Sequence, residues 1–73
     1  MTYEIAYRRV EHFVGRTYLI VGDPMFTRPF IITNVTERMV SCKNDVEEFN
    51  ITRIRMASLL MAGKLREYQQ KTT

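Results

Sequence analysis

The sequence predicts a mainly β protein, a small five-stranded SH3-like antiparallel barrel with one short helix before the last strand. Three observations carry this expectation. First, the apolar period changes around residues 50–65 (NITRIRMASLLMAGKL). Phe49 and Ile51 alternate as in a strand, and Met56, Leu59 and Leu60 then fall at i, i+3 and i+4 as on one face of a helix. Second, the runs at 16–21 (RTYLIV), 30–37 (FIITNVTE), 38–43 (RMVSCK) and 46–51 (VEEFNI) are short, rich in β-branched and aromatic residues or alternating, and bounded by turn residues. Third, a chain of 73 residues has little material with which to cover sheet edges, and barrel closure removes them. The alternative is an open antiparallel sheet with one helix packed across it, an α+β arrangement.

Residues 1–14 fit two periods. Tyr3, Tyr7, Val10 and Val14 make a helical stripe that Gly15 would stop, whereas Tyr3, Ile5 and Tyr7 alternate as in a strand. We read an extended lead-in followed by a short helical turn. The strand at 16–21 ends at Gly22-Asp23-Pro24, and the prolines at 24 and 29 keep the intervening loop out of any central strand. Met25 and Phe26 on that loop suit either a partner anchor or a lid over the core, and the lid is preferred. A tight connection at 36–38 joins the next two strands, and Asn44-Asp45 turns the chain into 46–51. Asn50 or Thr52 is placed to cap the helix, and Gly63 to end it before a last strand at 64–68. The expected core is Leu19, Val21, Ile32, Val35, Val40, Phe49, Ile51, Leu59 and Leu60. Residues 1–68 read as one domain and 69–73 as a loose polar tail.

Composition narrows the function classes. Hydrophobic residues make up 45% and charged residues 26% of the chain, which suits a small globular protein rather than a disordered one. A lone cysteine, Cys42, excludes an internal disulfide and a CxxC metal or redox pair, which fits a reducing compartment. The N-terminus lacks the apolar run of a signal peptide and no stretch matches a membrane span, so the expectation is a cytoplasmic protein. The three glycines stand apart, without a phosphate loop, and no hydrolase or metalloprotease motif is present. His12 and Cys42 are the only candidate base and nucleophile, and Cys42, alternating with Val40, reads as a core thiol. The expectation is a non-enzyme that takes no metal or other cofactor.

Charge is the remaining signal. The net charge is +3, and from Arg53 to the end five cations stand against one acid, while Asp45, Glu47 and Glu48 form an acidic knot. Tyr3, Tyr7 and Tyr18 interleave with Arg8, Arg9 and Arg16. That pattern suits either a stacking and phosphate-neutralising platform or a set of core anchors, and core is favoured. Arg8 and Arg9 are consecutive, so at least one is exposed whichever structure the segment takes. The candidate partner-binding residues are therefore Tyr3, Tyr7, Arg8, Arg9 and Arg16, with Lys64 and Arg66 on the basic C-terminal side.

In length, barrel pattern, basic ends and want of catalytic residues, the whole chain resembles the small phage-encoded proteins, of the kind found in a Xanthomonas phage, that bind host RNA polymerase. No signature motif carries this resemblance. It implies a transcription regulator whose partner is bacterial RNA polymerase, inhibiting initiation and promoting antitermination. The alternative is a small β-barrel that binds single-stranded nucleic acid directly. Neither reading involves a membrane or a small-molecule substrate.

Overall fold

The computed structural model describes residues 2–68. The N-terminal segment is an α-helix, α1 (Tyr3–Arg9), that runs into a 3-10 turn over Val10–Phe13. This corrects the extended lead-in. The helix is locally favoured: the Thr2 hydroxyl accepts the Ile5 N–H at 3.3 Å, Glu4 lies in the first turn, and Arg8 and Arg9 lie in the last. Ala6 and Val10, four apart, are fully buried, so the helical stripe wins over the Tyr3, Ile5, Tyr7 alternation.

The strands are β1 (Thr17–Ile20), β2 (Phe30–Val35), β3 (Met39–Lys43), β4 (Glu48–Thr52) and β5 (Leu65–Glu67). Between β4 and β5 lies α2 (Arg53–Met61), whose Thr52 cap accepts the Arg55 N–H at 3.2 Å. Gly63, at φ +71°, takes the left-handed position after it. The five strands, the antiparallel pairing and the helix before β5 agree with the sequence reading. The barrel does not.

The strand order is β4-β3-β2-β1-β5, so β4 and β5 are opposite edges of an open antiparallel sheet. The physical reason lies in the helices. β4 and β5 occupy opposite edges, so α2 must carry the chain across one face of the sheet. Together with α1 and the 3-10 turn it closes the core as a second layer, a role that strand closure would otherwise have filled. The α+β alternative is the nearer description, with two helices rather than one.

The core lies between these layers: Tyr18, Ile20, Phe30, Ile32, Val40, Cys42, Ile51 and Leu65 from the sheet, with Val10 and Met56 from the helical side. Ile32, Val40 and Ile51 are therefore buried as expected, and Val35, Phe49, Leu59 and Leu60 pack as half-buried neighbours. The expected phase of β1 is reversed. Tyr18 and Ile20 face inward, Leu19 is half-buried and Val21 is exposed, because the Tyr18 ring packs 4.8 Å from that of Phe13. Burial raises the Tyr18 phenol pKa above its usual value, with Arg16 partly opposing the shift.

In β2 the inward face begins with Phe30 and Ile32. A register shift between Ile32 and Asn34 then turns Val35, rather than Asn34, toward the core. The lid expected of the 24–29 loop divides in two. Phe26 packs at 5.6 Å from Phe49 and 6.5 Å from Phe30, while Met25 is 84% exposed.

Candidate binding surface

The helix α1 supplies four of the seven candidate residues, and its position is set by a side chain that sequence reasoning treated as surface charge. Arg53, first residue of α2, is only 4% exposed. Its Nε donates to the Tyr7 carbonyl at 2.9 Å and its Nη1 to the Thr36 carbonyl at 3.1 Å. Nη2 pairs with the Glu11 carboxylate at 2.9 Å, and the guanidinium lies 4.3 Å from the centre of the Tyr7 ring. One cation thus joins α1, the 3-10 turn, the β2–β3 hairpin and α2. Every polar group it meets is hydrogen-bonded, the condition under which a buried charge is tolerated. The Tyr7 hydroxyl adds a bond of its own to the Glu37 carbonyl.

This arrangement sorts the candidates. Tyr7 is half-buried and structural, the core-anchor reading of the tyrosines. Tyr3 lies 6.1 Å from Tyr7 between ring centres and is 42% exposed, beside an exposed Ile5. Arg8 pairs with Glu4 at 3.1 Å, with both side chains about three-quarters exposed, so the pair adds little to stability. Arg9 is exposed, with no carboxylate partner among the described residues. Ile5, Arg8 and Arg9 therefore form the outward face of a helix held at its base by Arg53, and Tyr3, on the same stripe as Tyr7, is partly open at its N-terminal end.

The other three candidates belong to the β1–β5 side of the sheet. Arg16 lies 3.9 Å from Glu67, Arg66 pairs with Leu19 in the β1–β5 register, and Lys64 leads into β5. The seven residues thus fall into two groups, one on α1 and one at the β1–β5 edge, rather than on one platform. Arg53 was legible in one respect: it begins the series 53, 56, 57, 60, which has the spacing of a buried helical stripe.

The two residues weighed as nucleophile and base differ in exposure. Cys42 is buried in β3, where desolvation pushes its thiol up to about 12, while His12 is exposed on the 3-10 turn. The nucleophilic thiolate is thus scarce at neutral pH. Among the described residues no group of three His, Cys, Asp or Glu side chains is placed to hold a metal ion. No helix among them is long and apolar enough to cross a membrane. The Cys42 thiol is expected to resist iodoacetamide in the native protein at pH 8 and to react once urea unfolds the chain. Because its folded pKa lies above the ordinary 9.0, its contribution to stability is complete below about pH 9 and declines as pH rises toward 12. Denaturant melts across that range measure this, and equal labelling rates for native and unfolded protein would contradict the burial. Comparison with protein-family models, with curated proteins and with solved structures finds no match for this chain.

Proposed function

We propose that this protein is a small transcription regulator, phage-encoded, that binds bacterial RNA polymerase with the outward side of α1, inhibiting initiation and promoting antitermination. The observation that carries a binding role is the fixed presentation of Tyr3, Arg8 and Arg9 on a helix pinned by Arg53. Tyrosine and arginine on a pre-ordered element supply contact area and directed hydrogen bonds at low entropic cost. A protein partner is favoured over nucleic acid by the pairing of charge. Five of the arginines, at positions 8, 16, 28, 53 and 55, already have carboxylate partners. The choice of polymerase rests on the whole-chain resemblance.

Direct binding of single-stranded nucleic acid is the second reading, favoured by Lys43 and Arg66, which are exposed and have no carboxylate within ion-pair distance among the described residues. A pull-down from nuclease-treated bacterial lysate is expected to recover RNA polymerase subunits. Their absence would overturn the regulator reading. Arg8→Ala combined with Arg9→Ala is expected to weaken that capture several-fold while changing stability by no more than about 0.5 kcal/mol. If nucleic acid is the partner instead, affinity falls with salt at a log–log slope of about −0.7 per phosphate contacted on a single strand.

A further inference from the structure

The two edges of the sheet are not equally protected. β5 is three residues long, contains Arg66 and follows Lys64, the short and cationic form that discourages strand addition. β4 is five residues long and contains no proline, lysine or register shift. Its outward backbone groups can be assigned. The Arg53 N–H donates to the Arg38 carbonyl at 2.8 Å, and the Asn44 N–H to the Glu47 carbonyl at 3.0 Å. These bonds bracket the β3–β4 ladder and set its phase. Val40 with Ile51, and Cys42 with Phe49, are the hydrogen-bonded pairs. Glu48 and Asn50 consequently turn their N–H and C=O groups away from β3, where no hydrogen bond meets them among the described residues.

Two further observations lie beside this edge. Each of the five ion pairs uses a different carboxylate, which leaves Glu37, Glu47 and Glu48 without one among the described residues. Two of those three lead into β4 or begin it. Lys43 faces Glu48 across the ladder without closing an ion pair. A recess of about 320 Å³ also opens at the start of β4, lined by Met25, Phe26, Val46 and Phe49 together with the charged Arg28 and Glu47. Met25 and Val46 are 84% and 66% exposed. The turn at its rim is held locally, the Asn44 side-chain oxygen accepting the Val46 and Glu47 N–H groups at 2.9 and 2.8 Å, and an exposed Arg28–Asp45 pair at 2.9 Å lies beside it.

We propose that the free edge of β4 docks an extended segment of a partner protein in which cationic residues alternate with apolar ones, added as a sixth strand. The backbone of Glu48 and Asn50 supplies the hydrogen bonds. The segment's apolar side chains lie on the Phe49 side, against the recess that Glu47 also lines, and its cations fall on the other side, opposite Glu48. A second copy of this chain fits less well, because β4 contains no cation to answer the free carboxylate of another copy's β4. This surface is distinct from the outward side of α1 and does not depend on the identity of the partner proposed there.

The test uses the full chain, isotopically labelled, with two synthetic end-capped heptapeptides, one alternating lysine and valine and the other alternating glutamate and valine. The lysine peptide is expected to bind and to slow amide exchange at Glu48 and Asn50, and the glutamate peptide to bind at least about tenfold more weakly. Asn50→Pro removes an outward N–H that the β3–β4 ladder does not use. Both it and the double variant Glu47→Lys with Glu48→Lys are expected to lower affinity for the lysine peptide about tenfold. Should Asn50→Pro not fold, the charge-reversed variant and the exchange map decide. The proposal is overturned if the lysine peptide does not bind, if it binds parent and charge-reversed protein alike, or if its exchange protection maps away from β4. Sedimentation that shows the parent dimerising through this edge would overturn it as well.

Discussion

Phe30→Ala is expected to lower stability by about 3–5 kcal/mol, the range for removing a fully buried aromatic side chain when its surroundings cannot collapse. Phe30 is 1% exposed and meets Phe49 edge-on at 5.6 Å and Phe26 at 6.5 Å. The cavity would therefore open where the sheet, the 24–29 loop and β4 come together. A domain of this size holds roughly 4–11 kcal/mol in all, so the loss is a large part of the total. Each kcal/mol also moves the melting temperature of a domain this size by about 4–8 °C. Leu60→Ala is the useful contrast. Leu60 was expected in the core but is only half-buried, so its truncation should cost clearly less. Melting curves in which the two variants shift equally would contradict the packing described.

Arg53→Met is expected to cost about 2–4 kcal/mol and to loosen α1 before the rest of the protein. The substitution keeps most of the apolar stem but deletes the guanidinium that serves Tyr7, Thr36 and Glu11. Two carbonyls lose their donor. Glu11, 59% exposed, can return to water, which keeps the cost toward the lower end for breaking a buried ion pair. Arg53→Lys should restore little, since one ammonium cannot reach three acceptors in the directions that the planar fork serves. Amide exchange accelerated over Tyr3–Arg9 while β2 and β3 stay protected would be the signature. Unchanged exchange in α1 would show that Arg53 is not what holds it.

What the sequence made legible was local. The turns at 36–38 and 44–45, the Thr52 cap, Gly63 and the inward faces of β3 and β4 follow from side-chain period and turn chemistry over a few residues, and the structure agrees at each. The faults lie where a distant partner decides. β1 reads equally well in either phase until Phe13 claims Tyr18. β2 alternates regularly on paper, and only its pairing with β3 reveals the shift at Ile32–Asn34. An open sheet differs from a barrel in whether its first and last strands in space meet, and no stretch of sequence records that. Among the candidate residues, exposure of at least one of Arg8 and Arg9 was legible because two consecutive arginines cannot both be buried, and the structure exposes both. The burial of Arg53 was legible only as a spacing on α2, because its acceptors come from residues 46, 42 and 17 positions earlier.

That separation also sets an order of events. α1 leaves the ribosome before the other elements described, yet at seven residues it is too short to persist as an isolated helix. Its anchor is absent until position 53 has been synthesised, and the Thr36 carbonyl that this anchor also serves awaits the β2–β3 hairpin. The hairpin, built from near neighbours in the chain, can form early, whereas docking of the N-terminus must close a loop of some 46 residues and comes late. A surface built on α1 is therefore not held in forms of the chain that lack residue 53 or have not yet docked it, and any activity that depends on it waits for that contact.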